Sequence, residues 1–180
     1  MSKEYVYKYE TCQKSQLQKL TEIQSVSLNL SQETTTLWSE IVGVDKHRVI
    51  TCEDEVIAGL AYITDKQHFG EKGVDCACVS AVAVASHFRG LGVGKTLMAS
   101  FVKELKEKGF AISSLYPSSW AFYRSCGYEL AGARTIYQCD TIALPAGKKR
   151  HEIKPVADEK RAELWELWRK QYSSLPGTMA

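Results

Sequence analysis

Val82-Ala83-Val84-Ala85-Ser86-His87-Phe88-Arg89-Gly90-Leu91-Gly92-Val93-Gly94-Lys95-Thr96 is the stretch on which the fold turns. Its opening residues are small or β-branched, as in a strand, and three glycines then fall within five positions. Beyond them Leu97, Met98, Phe101, Val102 and Leu105 recur at helical spacing until Gly109, with Leu91 on the same side. A glycine-rich turn between a strand and a helix start is a cradle for an anion. The first helical N–H groups lack partners, the helix dipole is positive there, and glycine lets a phosphate approach the backbone.

Several readings of that turn compete. A nucleotide-hydrolase P-loop would share Gly94-Lys95-Thr96, but the glycine it requires five positions before Gly94 is Arg89 here. A dinucleotide-binding turn needs G-x-G-x-x-G in the first β-α-β unit, whereas Gly90, Gly92 and Gly94 are spaced G-x-G-x-G after a late strand. A glycine-rich turn chosen only for tight packing is the plain alternative. The pattern R-x-x-G-x-G, the pyrophosphate loop of GNAT acetyltransferases, is matched by Arg89-Gly90-Leu91-Gly92-Val93-Gly94 without a mismatch.

Working outward, residues 5–9 alternate tyrosines with other residues as a first strand, and Leu17, Leu20 and Ile23 give a helix from about Gln13. Ser31 is placed to cap a second helix carrying Leu37, Trp38, Ile41 and Val42, ended by Gly43. Residues 48–52 and 56–63 flank the acidic turn Glu53-Asp54-Glu55 as an antiparallel hairpin, and residues 64–73 read as a polar loop. Residues 74–84 read as a central strand buried on both faces, and residues 110–115 as another buried strand. Ser118 or Ser119 caps a short helix through Tyr123, ended by Gly127, and residues 128–133 and 135–141 read as a closing pair of strands. The order is β-α-α-β-β-β-α-β-α-β-β, a mixed α/β domain over residues 1–144. Residues 145–156 read as a linker, and residues 157–180 carry an amphipathic helix with Trp165 and Trp168 that needs a surface to dock on.

Composition is that of an ordinary globular protein: 180 residues, 44% hydrophobic, 24% charged, net charge +2. So small a charge gives no reason to expect nucleic acid or a membrane as partner. With no apolar run of spanning length and no apolar leader, a soluble, cytoplasmic protein is expected. The six cysteines include no C-x-x-C pair and the four histidines are scattered, so no metal is expected.

Further residues sharpen the family. Val82-Ala83-Val84-Ala85 resembles the fourth-strand run of GNAT enzymes. Leu115-Tyr116-Pro117-Ser118 and Phe122-Tyr123-Arg124-Ser125-Cys126-Gly127-Tyr128-Glu129 resemble the LYPS…FYRxxGYE pattern of the enhanced-intracellular-survival (Eis) type. The resemblance covers the chain to about Leu144, and residues 157–179 look like the opening of that type's second domain. It implies a GNAT acyl-CoA N-acyltransferase fold, with a mixed, mostly antiparallel central sheet flanked by helices, and acetyl-CoA as co-substrate. Backbone groups of Val82, Ala83 and Val84 would pair with the pantetheine arm. Arg89, Gly90, Leu91, Gly92, Val93, Gly94 and Lys95 would hold the pyrophosphate, chiefly by main-chain N–H groups. Ser118 and Ser119 would lie beside the reactive end, and Tyr123 would protonate the departing thiolate.

Acetyl transfer needs a neutral amine, a polarised thioester carbonyl and a proton for sulfur. A tyrosine hydroxyl suffices for the last, and backbone N–H groups in the strand at Val82–Val84 would serve the second. Tyr123 could instead be a core aromatic beside Phe122, with Tyr116 and Tyr128 as rivals for the acid. Glu129, Glu53 or a water chain are open as the base. His87 reads as a flank of the loop, Asp75 and Glu71 as solvated charges, and Cys126 lacks the histidine a thiol nucleophile wants. The expected acceptor is a small-molecule or lysine-type amine. A non-catalytic acyl-CoA-binding or assembly module is the competing class, which the Trp165/Trp168 face would serve as a contact between copies or with another protein.

Overall fold

The structure is a computed structural model that describes residues 5–69, 72–133, 135–144, 147, 152 and 154–173. Along the chain run β1 (Lys8–Thr11), α1 (Lys14–Leu28), α2 (Gln32–Val42), β2 (His47–Cys52), β3 (Glu55–Phe69) and β4 (Lys72–Val84). They are followed by α3 (Val93–Glu107), β5 (Ile112–Leu115), α4 (Trp120–Arg124) and α5 (Arg161–Ser173). The strands form one mixed sheet in the order β1-β2-β3-β4-β5. Its first four strands are antiparallel neighbours, and β5 joins β4 in parallel after the α3 crossover.

One core lies on the α3 face of the sheet, where Leu97, Met98 and Phe101 meet Leu60, Tyr62 and Ala77. A second lies under α1, where Leu20 and Ile23 meet Val49, Val56 and Ala83. Gly59 lets α1 come close: a Cβ there would stand 2.5 Å from Leu20 Cδ1 and 2.6 Å from the Arg48 carbonyl oxygen. Ser31 caps α2 as expected, its hydroxyl accepting from the Thr34 N–H at 3.1 Å.

Several sequence expectations need correction. The loop expected over residues 64–73 is an extension of the β3–β4 hairpin, paired from Thr64↔Ala77 to Phe69↔Lys72. Backbone pairing with a partner in register carries these polar residues into the sheet. Residues 5–7 lie outside β1, which starts at Lys8 opposite Thr51, close to where β2 ends; Tyr5 instead packs edge-on to Phe88 at 5.5 Å. β4 is not buried on both faces: Cys76, Ala77, Val79 and Ala83 are buried, but Ser80 is exposed and Val82 and Val84 are half-buried. Likewise β5 starts at Ile112 and is half-buried throughout. No strand is found among the described residues 128–133 and 135–141; Ile136 and Tyr137 are exposed there. Leu91 precedes α3 and Val102 is partly exposed. On α2 the buried residues are Thr35 and Ser39, while Leu37 and Ile41 face outward. Most of the 145–156 stretch lies outside the described residues. Helix α5 falls where expected, and every residue from Arg161 to Tyr172 is exposed.

Candidate functional site

The site begins with a divergence. β5 pairs with β4 only along Cys76↔Ile112 to Val79↔Leu115, whereas β4 continues five residues further, to Val84, along β3. The register jumps between Gly59↔Ala83 and Ala61↔Ser80, which leaves Ala81 and Val82 together opposite Leu60. This β-bulge puts Ala81 at φ +50°. It also shifts the alternation of side chains. Ala77 and Val79 face the α3 core, and beyond the bulge Val82 and Val84 face it, while Ala83 faces α1. Because β5 ends at Leu115, no strand among the described residues pairs with residues 80–84 on that side, which leaves a slot at the sheet's end.

From that end the chain enters the glycine turn. Gly90 and Gly92 have φ of +80° and +81°, conformations that suit glycine, and a Cβ on either would meet nothing within 4 Å. The first backbone bond of α3 runs from Thr96 N–H to the Gly92 carbonyl at 3.0 Å, so the N–H groups of Val93, Gly94 and Lys95 precede the ladder. Gly94 sits where three elements meet: a Cβ there would lie 3.2 Å from Phe122 Cζ and 3.6 Å from Val84 Cγ2. The end of β4, the start of α3 and the helix α4 thus converge on one glycine.

Arg89 does something other than reach for an anion. Its Nε donates to the Val84 carbonyl at 3.2 Å and its guanidinium to Ser27 Oγ of α1 at 3.0 Å. It braces the turn against the strand and helix on either side. Lys95 is exposed, and Val93 is buried under the turn.

Helix α4 carries Tyr123. Ser119 caps it, accepting from the Phe122 N–H at 3.4 Å, and Ser118 is hydrogen-bonded to the Tyr123 hydroxyl. Tyr123 is 7% exposed, wedged edge-on between Phe122 at 5.0 Å and Tyr128 at 6.2 Å. Burial pushes its phenol above the ordinary value, against the smaller opposing pull of Ser118. Tyr123 also lines a cavity of about 550 Å³ shared with Leu115, Tyr116, Trp120 and Tyr128. Of the rival acids, Tyr116 is exposed, and the Tyr128 hydroxyl is 2.7 Å from Ser113 Oγ.

The candidate bases are dispersed. Glu129 pairs with Arg124 at 3.0 Å on the surface, and the Leu130 N–H followed by Arg124 holds its carboxyl below the usual range. That is the wrong direction for a base. Glu53 stands in the β2–β3 turn at φ +50°. His87 is exposed, its ring 4.6 Å from Phe88. Asp75 is exposed at the far end of β4, opposite Lys66, and Glu71 lies outside the described residues. All six cysteines are free, and no metal-holding group of three or more His, Cys, Asp or Glu occurs among the described residues.

Two features escaped sequence reasoning. One is Gln24, fully buried in α1, whose Nε2 donates to the Ala81 carbonyl at 2.9 Å. Its signal was an amide on the buried stripe of α1, one turn beyond Leu20. The other is a cluster on the α3 side. Arg48 meets Glu104 through a 2.6 Å ion pair, Lys108 meets the same carboxylate at 2.6 Å, and Tyr9 donates to it as well. The Glu104–Lys108 pair is local, one turn apart on α3, but the pairings to Arg48 and Tyr9 are too far apart in sequence to leave a local trace.

Comparison with known proteins agrees with this architecture. Residues 8–131 match the family model described as the acetyltransferase (GNAT) domain. A GCN5-related N-acetyltransferase from Anabaena variabilis superposes with a TM-score of 0.65 and 29% identity, over 67% of this chain and 31% of that one. Eis1 from Mycobacterium abscessus shares the fold alone, at 17% identity and a TM-score of 0.58, over 67% of this chain and 30% of that one. A tRNA(Met) cytidine acetyltransferase, TmcA, from Pectobacterium atrosepticum is 27% identical over 97 residues, 48% of this chain and 14% of that protein. The chain therefore spans a third or less of the length of these three relatives. With the family model matched over residues 8–131, most of its length, the chain belongs to the GNAT acetyltransferase domain family.

Proposed function

We propose that the chain is an acetyl-CoA-dependent N-acetyltransferase. The observation that carries this reading is the convergence at Gly94, where the diverging end of β4, the unladdered N–H groups of α3 and the α4 helix of Tyr123 share one contact point. The pyrophosphate would rest on the N–H groups at the start of α3, shaped by Gly90 and Gly92 and braced by Arg89. The pantetheine would lie along Val82, Ala83 and Val84, with Ser118 and Ser119 on the opposite wall. Because Arg89 already occupies the Val84 carbonyl, its part in phosphate binding is to hold the turn's shape.

The transfer itself is direct. A neutral amine attacks the thioester carbonyl carbon, the C–S bond breaks, and the departing sulfur takes the Tyr123 proton while the amine sheds one to solvent or a base. Backbone N–H groups of the bulged strand stabilise the carbonyl oxygen as it gains charge. The acceptor is a small primary amine or a lysine side chain, the Eis type being the finer family assignment. TmcA is named for a cytidine acceptor in tRNA, but a net charge of +2 offers little to a nucleic acid. A cytoplasmic setting fits the absence, among the described residues, of any helix long and apolar enough to cross a membrane.

A second reading, a non-catalytic acyl-CoA-binding module, is favoured by α5, whose Trp165, Trp168 and Tyr172 rings meet in series on an exposed face, edge-on at 5.8 Å and tilted at 5.0 Å. In either case residues 1–144 form the acetyltransferase domain, 145–156 the linker and 157–180 a helix that belongs to a further contact. Titration calorimetry with acetyl-CoA, ATP and NAD tests the cofactor, and release of free thiol with polyamines, aminoglycosides and lysine peptides tests the reaction. Tight binding of acetyl-CoA with thiol release is expected. Binding without release from any amine selects the second reading, and preference for ATP or NAD overturns both.

A further inference from the structure

We propose that Gln24 is a positioning residue of the acetyl-transfer site. Its side-chain amide fixes the Ala81–Val82 peptide so that the Val82 N–H is directed into the slot, where the thioester carbonyl oxygen would lie. The inference rests on the acetyltransferase reading above.

Three observations support it. Ala81 is one of four described non-glycine residues with positive φ, and it stands inside the longest antiparallel pairing of the sheet rather than in a turn or cap. An L-residue in that conformation is sterically disfavoured and needs something to hold it. Gln24 Nε2 supplies the hold, at 2.9 Å from the Ala81 carbonyl. Because α1 packs on one face of the sheet, a carbonyl bonded to it is turned out of the sheet plane toward that face. In a trans peptide the N–H opposes the carbonyl, so the Val82 N–H is directed to the other face, where Val82, Tyr123 and Phe122 pack. Gly59 makes the reach possible, since only a residue without Cβ lets Leu20, one turn before Gln24, sit so low on β3.

The side chain is also a poor choice for packing alone. Gln24 is fully buried, yet its Oε1 has no hydrogen-bond partner among the described residues. A methionine would fill the space without burying an unmet acceptor. What the glutamine adds is the donor on Ala81.

The test compares the full chain with Gln24→Met, Ala81→Gly and the double variant. Gln24→Met is expected to stay folded by circular dichroism while its kcat falls by about tenfold to a hundredfold, as for loss of an aimed donor. Acetyl-CoA affinity by calorimetry should stay within about twofold. Adding Ala81→Gly should return most of the lost rate, because glycine adopts the bulge conformation without the hydrogen bond. Parallel loss of affinity, rate and melting temperature would identify a packing residue and overturn the proposal; so would an unchanged rate, or a glycine that fails to rescue. A second readout needs no turnover: in amide NMR spectra the Val82 resonance should move differently with acetyl-CoA and with free CoA. That difference should vanish in Gln24→Met and return in the double variant. A Val82 amide indifferent to the acetyl group sinks the Gln24 assignment. A parent that shows the Val82 response yet acetylates no amine leaves it standing and counts against the acetyltransferase reading alone.

Discussion

Tyr123 is held between two aromatic rings with its hydroxyl on Ser118, and burial raises its pKa above 10. A raised phenol keeps its proton through the neutral and mildly alkaline range, which suits a donor to a thiolate that needs only a weak acid. Tyr123→Phe is expected to keep the ring packing and lower kcat by about a hundredfold, with acetyl-CoA affinity within about twofold. Stopped-time thiol assays beside calorimetry check it. The sign of the pH effect follows: since the proton is lost only above the ordinary tyrosine value, any fall of kcat below pH 10 belongs to another group. At this scale the sequence was legible in its glycines and in Tyr123, which sit where their spacing put them. The side-chain contacts of Arg89, from Ser27 to Val84, were not legible, because that pairing is set by how α1 lies on the sheet. Gln24 was legible only as a polar residue on a buried stripe.

Among elements, the strongest tie off the site is Arg48 of β2 with Glu104 of α3. Arg48 is 3% exposed and donates to both carboxylate oxygens; its other guanidinium bonds go to the Asp45 and His47 carbonyls and to Tyr62. Burial opposes ionisation of Glu104, but hydrogen bonds from Arg48, Lys108 and Tyr9 outweigh it and hold the carboxyl at about 2. A folded pKa below the unfolded one adds stability that is present above the unfolded value and is lost as pH falls through the folded one. The window is therefore roughly pH 4.5 down to 2. Glu104→Gln leaves Arg48 buried without its counter-charge, and about 3 kcal/mol of unfolding free energy should disappear at pH 7. Urea melts at pH 7 and at pH 3 check it: the gap between parent and variant should narrow in acid. Helix positions were read well because spacing and caps are local, although on α2 the buried residues are Thr35 and Ser39 rather than Leu37 and Ile41. Strands were read less well for a physical reason: a strand exists only where a partner lies in register. Polar residues 64–69 qualify through β4, whereas residues 128–133 carry a strand-like pattern and find no pairing strand among the described residues.

For the molecule as a whole, the division into a folded domain and a trailing helix can be tested by removal. Residues 161–172 are exposed along their whole length, so deleting residues 157–180 should leave the melting temperature within about 2 °C, read by circular dichroism. A larger drop would mean that the aromatic face of α5 is covered by the domain in solution. The mixed sheet and the order of its first nine elements were legible from spacing, turn residues and the glycine loop together. What covers Trp165 and Trp168 was not, because an amphipathic face declares that it needs a neighbour without naming one. A last consequence concerns β5, one of the two edge strands of the sheet among the described residues. An unpaired flank is a template on which other chains polymerise, yet this one is four residues long, about 13 Å of backbone. That is too little for a foreign strand to grip, so the brevity of β5 is itself a safeguard against aggregation.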